Sequence, residues 1–503
     1  MAQTLTSGRS GGRPVDDIPP FAQLFPLGLQ HVLAMYAGAV AVPLIVGGAM
    51  VGAGELQPDD ITHLIMADLL VAGVATLLQS VGFWRFGVRL PLMQGVTFAA
   101  VAPMITIGNS HGITAIYGSV IASGVFMIVA APFFGRLVRF FPPIVTGTII
   151  LIIGVSLMRV AAGWFGGGTA TGADFGEPKS IGMAFLTLAI ILGIERFAPD
   201  ALRRVSILLG LVIGTIISIP LGMPSWDGVG EASWLGIVTP FQFGAPTFEL
   251  SSIVALIIVA IVIMTETTGD MVAVGEIVGE KITPQRLADG LRADGAGTIL
   301  GGIFNTFPYT AFAQNVGLVA ITGVRSRFVA SMAGVLLLVL GLLPKLASIV
   351  EGVPQPVLGG AGVALFGMVA ASGVRTLSRV KFDNTNILIV AISVGVAMLT
   401  EAKLSYTDRT GDSPVDVSLD LYHQFPDWFQ TIFHSGISAG ALTAILLNLL
   451  LSRGTGSPFE KEEHGGGHDA PRSGYVDPTD ALEAAEADER AADSARSPGA
   501  SAP

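Results

Sequence analysis

The chain of 503 residues has no cysteine. Disulfides, thiolate metal sites and a cysteine nucleophile are therefore excluded. Charge is also scarce. Asp, Glu, Lys and Arg make up 13% of the chain, where a soluble domain carries about 25%. That deficit excludes an ordinary soluble globular protein. No H-E-x-x-H zinc motif and no P-loop occurs, and the chain is read as something other than an enzyme, with no cofactor and no resident metal. Nor is a cleavable leader expected. Residues 1–20 are polar, and the first long apolar run, from about Leu24, lacks a small-residue cleavage pattern.

Apolar residues fill that space. They make up 51% of the chain, and mean hydropathy is +0.68. The runs are about 20 residues long and do not alternate, which fits membrane helices and not a β-barrel. The expected fold class is an all-α polytopic membrane protein. Fourteen spans are expected near 24–47, 62–83, 91–106, 112–135, 142–160, 180–195, 204–222, 249–269, 287–303, 309–323, 328–350, 355–373, 385–400 and 430–452.

One set of alternate loops then holds fourteen Lys and Arg residues and the other holds five. By the positive-inside rule both termini are cytoplasmic. The loops at 222–247 and 403–428 become the large external ones. The tail at 454–503 carries eleven acids and four bases, which is −7 of the formal −11. It is expected to be disordered and cytoplasmic, and His464 and His468 in it read as solvated rather than metal-binding. The acidic balance is thus largely a property of the tail. No nucleic-acid partner is expected.

Two segment pairs hint at an internal duplication. Phe141–Gly154 resembles Pro354–Gly367 at an offset of 213, and Gln94–Pro103 resembles Gln314–Gly323 at an offset of 220. Seven spans is an odd number, so the second half must enter the membrane from the opposite face, as an inverted 7+7 repeat. Spans three and ten become counterparts. Both are too short to cross as plain helices, and the stretch 305–327 that holds span ten is interrupted by Pro308 and Gly317. Short, interrupted segments at matching positions point to a binding site at the midplane.

Few polar groups lie at membrane depth. An unpaired buried amide costs roughly 2–7 kcal/mol, so the adjacent Gln314 and Asn315 must face protein, water or a ligand. Glu266 closes a long apolar run in span eight, and Asp270 follows it by four residues. Asp294 sits with Arg292 in span nine, Asp68 is in span two, and His31 follows Gln30 in span one. Several have bland alternatives. Asp270 fits a cytoplasmic rim, His31 fits satisfied packing, Asp68 fits a cap, and amides also join helices. Glu266 is the hardest to explain as structure alone. A carboxylate and two carboxamides suit a flat heterocycle with alternating N–H and C=O edges. Phe98, beside Thr97, offers a ring face.

These residues resemble the nucleobase–ascorbate transporter family, also called nucleobase:cation symporter-2. Its signature, an acid, amide or Pro followed by N-x-G-x-x-x-x-T and then a basic residue or Gly, is matched by Gln314, Asn315, Gly317, Thr322 and Gly323. Gln30–His31, Glu266 with Asp270, and Asp294–Gly295 match three further motifs, and the resemblance covers about residues 20–453. It implies a core domain of spans 1–4 and 8–11 (about 21–136 and 248–350). It also implies a gate domain of spans 5–7 and 12–14 (about 140–225 and 353–453), with short strands and half-helices in spans three and ten.

The resemblance also implies a homodimer in the cell membrane and proton-coupled symport of a purine, urate or xanthine. Glu266 and Gln314 would hold the substrate. Phe98 would line the pocket, and Thr97 and Asn315 would tune it, with Gly317 in the same motif. His31 and Thr322 would support the site, while Asp294 and Asp270 would serve proton coupling. Alternatives are a uracil or other nucleobase symporter, or an anion exchanger of the same fold. The anion exchanger has no need of an acid at 266.

Overall fold

In lipid a single segment can satisfy its own backbone only as a helix, and helices dominate the structure. The computed structural model describes residues 13–134, 141–168, 175–401, 403–407, 414–418 and 435–451, with Pro426, Phe429 and Phe433. The tail at 454–503 lies outside the described residues, as do residues 1–12 and most of the loop at 403–428.

The first half contains α1 (Phe21–Gly52), α2 (Asp60–Val81), β1 (Gln94–Val96), α3 (Val101–His111), α4 (Ile113–Ala130), α5 (Pro143–Phe165), α6 (Pro178–Phe197) and α7 (Ser206–Ser218). The second contains α8 (Leu250–Val278), α9 (Pro284–Ile303), β2 (Tyr309–Ala311), α10 (Ala313–Thr322), α11 (Arg327–Gly341), α12 (Pro344–Glu351), α13 (Gln355–Leu377), α14 (Asn384–Glu401), β3 (Lys403–Thr407), β4 (Pro414–Ser418) and α15 (Gly436–Leu451). Among the described residues, seven helices are long and apolar enough to cross a membrane. The α11–α12 pair, bent by 82°, makes an eighth, and α7, α10, α14 and α15 are shorter apolar helices. The chain is a multi-pass membrane protein.

Local chemistry sets the element ends. Pro143, Pro178, Pro284 and Pro344 open α5, α6, α9 and α12, where a missing N–H costs nothing. Gly323, at φ 65°, ends α10 in the left-handed conformation, so the last residue of the signature motif acts as a C-cap.

The two segments expected as spans three and ten are short because each is part strand. β1 pairs antiparallel with β2, Gln94 opposite Ala311 and Val96 opposite Tyr309. The ladder continues through Thr97 N–H to Pro308 C=O (2.9 Å) and Phe312 N–H to Met93 C=O (3.0 Å). Two strands leave outer groups bare, and threonines on neighbouring helices satisfy them. Thr76 Oγ1 accepts from Gln94 N–H at 3.0 Å, Thr298 Oγ1 from Tyr309 N–H at 3.1 Å and Thr267 Oγ1 from Ala311 N–H at 3.2 Å.

The pairing of Gln94 with Gln314 does not hold: Gln94 lies in a strand and Gln314 in a helix. The helix after β1 begins at Val101 and the helix after β2 at Ala313, 212 positions on, and α5 and α13 start at the same spacing. The abundance of Gly, Ala and Val made the false match. A second hairpin, β3–β4, stands in the expected external loop, where the alternation of Leu404 and Tyr406 and of Val415 and Val417 is a strand signal that the loop assignment passed over.

Packing divides the helices. α2 packs on α11, α4 on α9 and α8, and α1 on α11, whereas α5 packs on α13 and α15, α6 on α13 and α7, and α14 on α15. Glycines allow the closest crossings. A Cβ added at Gly73 would stand 2.7 Å from Gly334 C=O, and one at Gly334 would stand 3.0 Å from Gly73 C=O. Gly124 and Gly295 are likewise reciprocal, at 2.7 and 2.8 Å.

Candidate functional site

Where strands give way to helices, the backbone turns and leaves room. A cavity of about 290 Å³ lies there, lined on one side by Thr97, Phe98, Glu266, Thr310 and Gln314. On the other side stand Ile150 and Ile153 of α5 and Met368, Ser372 and Arg375 of α13. Glu266 is partly exposed and Gln314 is exposed. Both are open to a ligand, while the surrounding wall is mostly apolar. The first turn of α10 forms part of the lining, and a helix N-terminus favours negative charge.

The ring of Phe98 is held edge-on by Phe366, with centroids 5.8 Å apart. Thr97 is buried, and its Oγ1 accepts Ala99 N–H at 3.1 Å. Its own O–H remains available to donate. Thr97, Phe98, Glu266 and Gln314 thus meet around one space, as their chemistry requires if they are to grip a flat ring.

Asn315 turns away from this space. Its Nδ2 lies 3.0 Å from His31 Nδ1 and 3.0 Å from the His31 carbonyl. The carbonyl can only accept, so the amide nitrogen is the donor to both. Nδ1 is therefore an acceptor, and the ring proton sits on Nε2. His31 and Asn315 tie α1 to α10 behind the cavity. Gly317 lines a second cavity of about 260 Å³, which shares Phe312, Gln314 and Met368 with the first. Thr322 lies at the end of α10, with its hydroxyl donating to Leu318 C=O at 2.8 Å. It is outside both cavities.

The acids form a second layer. Asp294 is fully buried, and its Oδ1 accepts from Gln79 Nε2 at 2.9 Å. Gln79 is fixed in turn, donating to Gly290 C=O at 3.1 Å and accepting Val88 N–H at 2.8 Å. Glu266, Asp270 and Asp294 lie within each other's electrostatic reach, with Thr267 and Gln94 beside Asp294. Asp270 Oδ2, Asp294 Oδ2 and both amide atoms of Gln94 are buried without a protein hydrogen-bond partner. Asp68 holds the strand instead, accepting from Tyr309 Oη at 2.8 Å. Arg292 pairs with Asp289, not Asp294, at 2.5 Å.

Sequence reasoning missed Arg375, Ser372, Gln79, Gln94 and Thr267. Arg375 entered it only as a loop charge. Its spacing from Met368 and Ser372, one face of a helix, was the available signal.

The Xan_ur_permease model, described as a permease family, matches residues 22–404. The chain belongs to this family, the nucleobase–ascorbate transporters. It is a permease and not an enzyme. It is 44% identical to a xanthine permease of Bacillus subtilis, over 86% of this chain and 94% of the relative. It is 42% identical to the uric acid transporter UacT of Escherichia coli, over 89% and 90%. A nucleobase transporter of Paenibacillus larvae is 45% identical over 86% and 95%. In fold the permease is similar to the transmembrane domain of the cyanobacterial bicarbonate transporter BicA. The TM-score is 0.54 at 18% identity, covering 76% of this chain and 97% of that one. At such identity the likeness concerns fold alone.

Proposed function

We propose that this permease carries a purine nucleobase, urate or xanthine ahead of others, by proton-coupled symport with alternating access. One observation carries the reading: Glu266 and Gln314 open into the same cavity beside the Phe98 ring. A carboxylate accepts two N–H groups, an amide gives and takes one bond each, and the ring stacks. The cavity, about 290 Å³, lies near the lower end for ligand pockets and suits a small heterocycle. The names of the relatives, xanthine permease and uric acid transporter, favour purines over uracil. The solved neighbours include a bicarbonate transporter, but a small inorganic anion has no N–H edge for Glu266 and no ring face for Phe98.

Buried carboxylate oxygens without partners at Asp294 and Asp270 favour a proton as the coupling ion. His31 and Asn315 brace α10, Gly317 lets the neighbouring space approach Gln314, and Thr322 and Gly323 finish that helix.

The proposed frame is fourteen spans in an inverted 7+7 repeat. Gly73 and Thr76 of α2 match Gly295 and Thr298 of α9 both in spacing and in what they do. Each glycine meets a glycine on a crossing helix, and each threonine accepts the first N–H of a strand. The separate packing of α5–α7 with α13–α15 supports a gate that moves against a core. Both termini are assigned to the cytoplasm, in the cell membrane, with a homodimer as the assembly.

Uptake of labelled urate, xanthine, uracil and bicarbonate into vesicles, with and without an inward proton gradient, tests the proposal. Purine uptake that rises with the gradient is expected. Uptake of uracil or bicarbonate without purine would replace the assignment.

A further inference from the structure

A carboxylate at 266 suits the N–H edge of a purine but repels a purine that carries negative charge. Urate is an anion at neutral pH, so some group must offset that repulsion. Among the described residues lining the cavity, Arg375 is the only cation, and no ion pair ties it to an acid among them. It stands in the last turn of α13, with Met368 and Ser372 below it on the face that borders the cavity.

The seat of α13 is firm. A Cβ at Gly373 would lie 2.8 Å from Gly147 C=O of α5, and one at Gly154 would lie 2.6 Å from Ala370 Cα. α13 therefore cannot shift on α5 without the two moving together. Glu266 and Gln314 belong to α8 and α10, on the opposite wall.

We infer that Arg375 determines specificity for anionic purines by taking the acceptor edge of the ring while Glu266 and Gln314 take the donor edge. This rests on the purine reading above. A deprotonated ring nitrogen beside a carbonyl oxygen gives two coplanar acceptors, which the guanidinium fork matches in a way an ammonium does not. The two grips come from opposite walls, so an anionic purine spans the boundary that opens and closes during transport. A neutral purine offers Arg375 only uncharged acceptors, a carbonyl and an imidazole nitrogen, and gains less, because a hydrogen bond between two charged groups is the stronger one. The competing role for Arg375 is structural, since a cation in a final helix turn complements the backbone dipole. That role takes no account of substrate charge.

The full chain in proteoliposomes at pH 6 decides between them. Uptake of labelled urate and xanthine is measured, with each unlabelled purine as competitor of whichever label enters. In R375Q the KM or inhibition constant for urate is expected to rise about tenfold or more, the weight of one charge-assisted hydrogen bond. The value for xanthine, largely uncharged at that pH, stays within about threefold. R375K keeps the charge, loses the fork and falls between.

Equal effects on both purines, or none, overturn the inference. Where R375Q fails to reach the membrane, R375K decides alone: a selective loss for urate supports the inference and an unchanged ratio overturns it. A wild-type protein that takes up neither purine removes the purine reading first, and the inference with it. Wild-type uptake with an unselective variant removes the inference alone.

Discussion

Gln314 and Asn315 are neighbours in sequence and do unlike things. Successive helix residues point about 100° apart. Gln314 therefore faces the cavity while Asn315 reaches His31. Glu266→Gln keeps the shape but loses the charge and the double acceptor. Transport should fall to background with the protein still in the membrane, and wild-type uptake in that variant would remove Glu266 from the site. Thr97→Ala should change the ratio of urate to xanthine uptake while leaving thermal stability near wild type, because the lost hydroxyl borders the cavity. Asn315→Ala strips the donor from two buried acceptors on His31. A loss of about 1–3 kcal/mol is expected, seen as a lower melting temperature in detergent, with reduced uptake following from a loosened α10. The acids and amides were legible in the sequence because each is costly in lipid. Which of two adjacent amides faces the cavity was not, because that depends on helix phase.

At the scale of elements, β1 and β2 are held by threonines that read as ordinary helix residues in the sequence. Thr298→Val should leave Tyr309 N–H without its acceptor and cost about 1–3 kcal/mol. Thr76→Val should do the same to Gln94 N–H. A proposed symmetry makes the two losses similar in thermal melts, and an effect confined to one of them would argue against it. The close crossings give a second check. Gly73→Ala and Gly124→Ala each place a methyl against a glycine carbonyl, and overpacking of about 1–3 kcal/mol is expected for both. Spans three and ten showed in the sequence as runs too short to cross. Their strand pairing did not, because three-residue strands carry no periodicity to read.

For the whole molecule, a short N-terminal segment bridges distant parts of the side that carries the basic loops. Arg327 Nε donates to Asp16 Oδ1 at 2.8 Å, and Arg327 Nη1 donates to Ser80 C=O at 2.9 Å. Arg13 reaches Glu280 at 3.3 Å, and Val15 is buried. Burial pushes the Asp16 carboxyl up, but the Arg327 and Arg13 guanidinium groups outweigh it and hold it below the usual carboxylate range. A group lowered in the folded state adds stability above its unfolded value of 3.8, and that stability is lost as pH falls through the folded value. The segment should stay attached at neutral pH and detach in strong acid. Limited proteolysis near residue 13, with Asp16→Asn as the comparison, reads this. The variant should be cleaved at neutral pH and lose the pH dependence.

The sequence alone determined that the chain lives in a membrane, roughly where it crosses, and which few polar groups need a reason to be there. Hydrocarbon forces these outcomes, since it tolerates neither bare backbone nor idle charge. Tertiary structure decided the rest. It brought Glu266, Gln314 and Arg375, from three separate helices, to one cavity, and it sent Asn315 to His31. Convergence of side chains from distant segments depends on how helices cross and in what phase, and no local pattern records that.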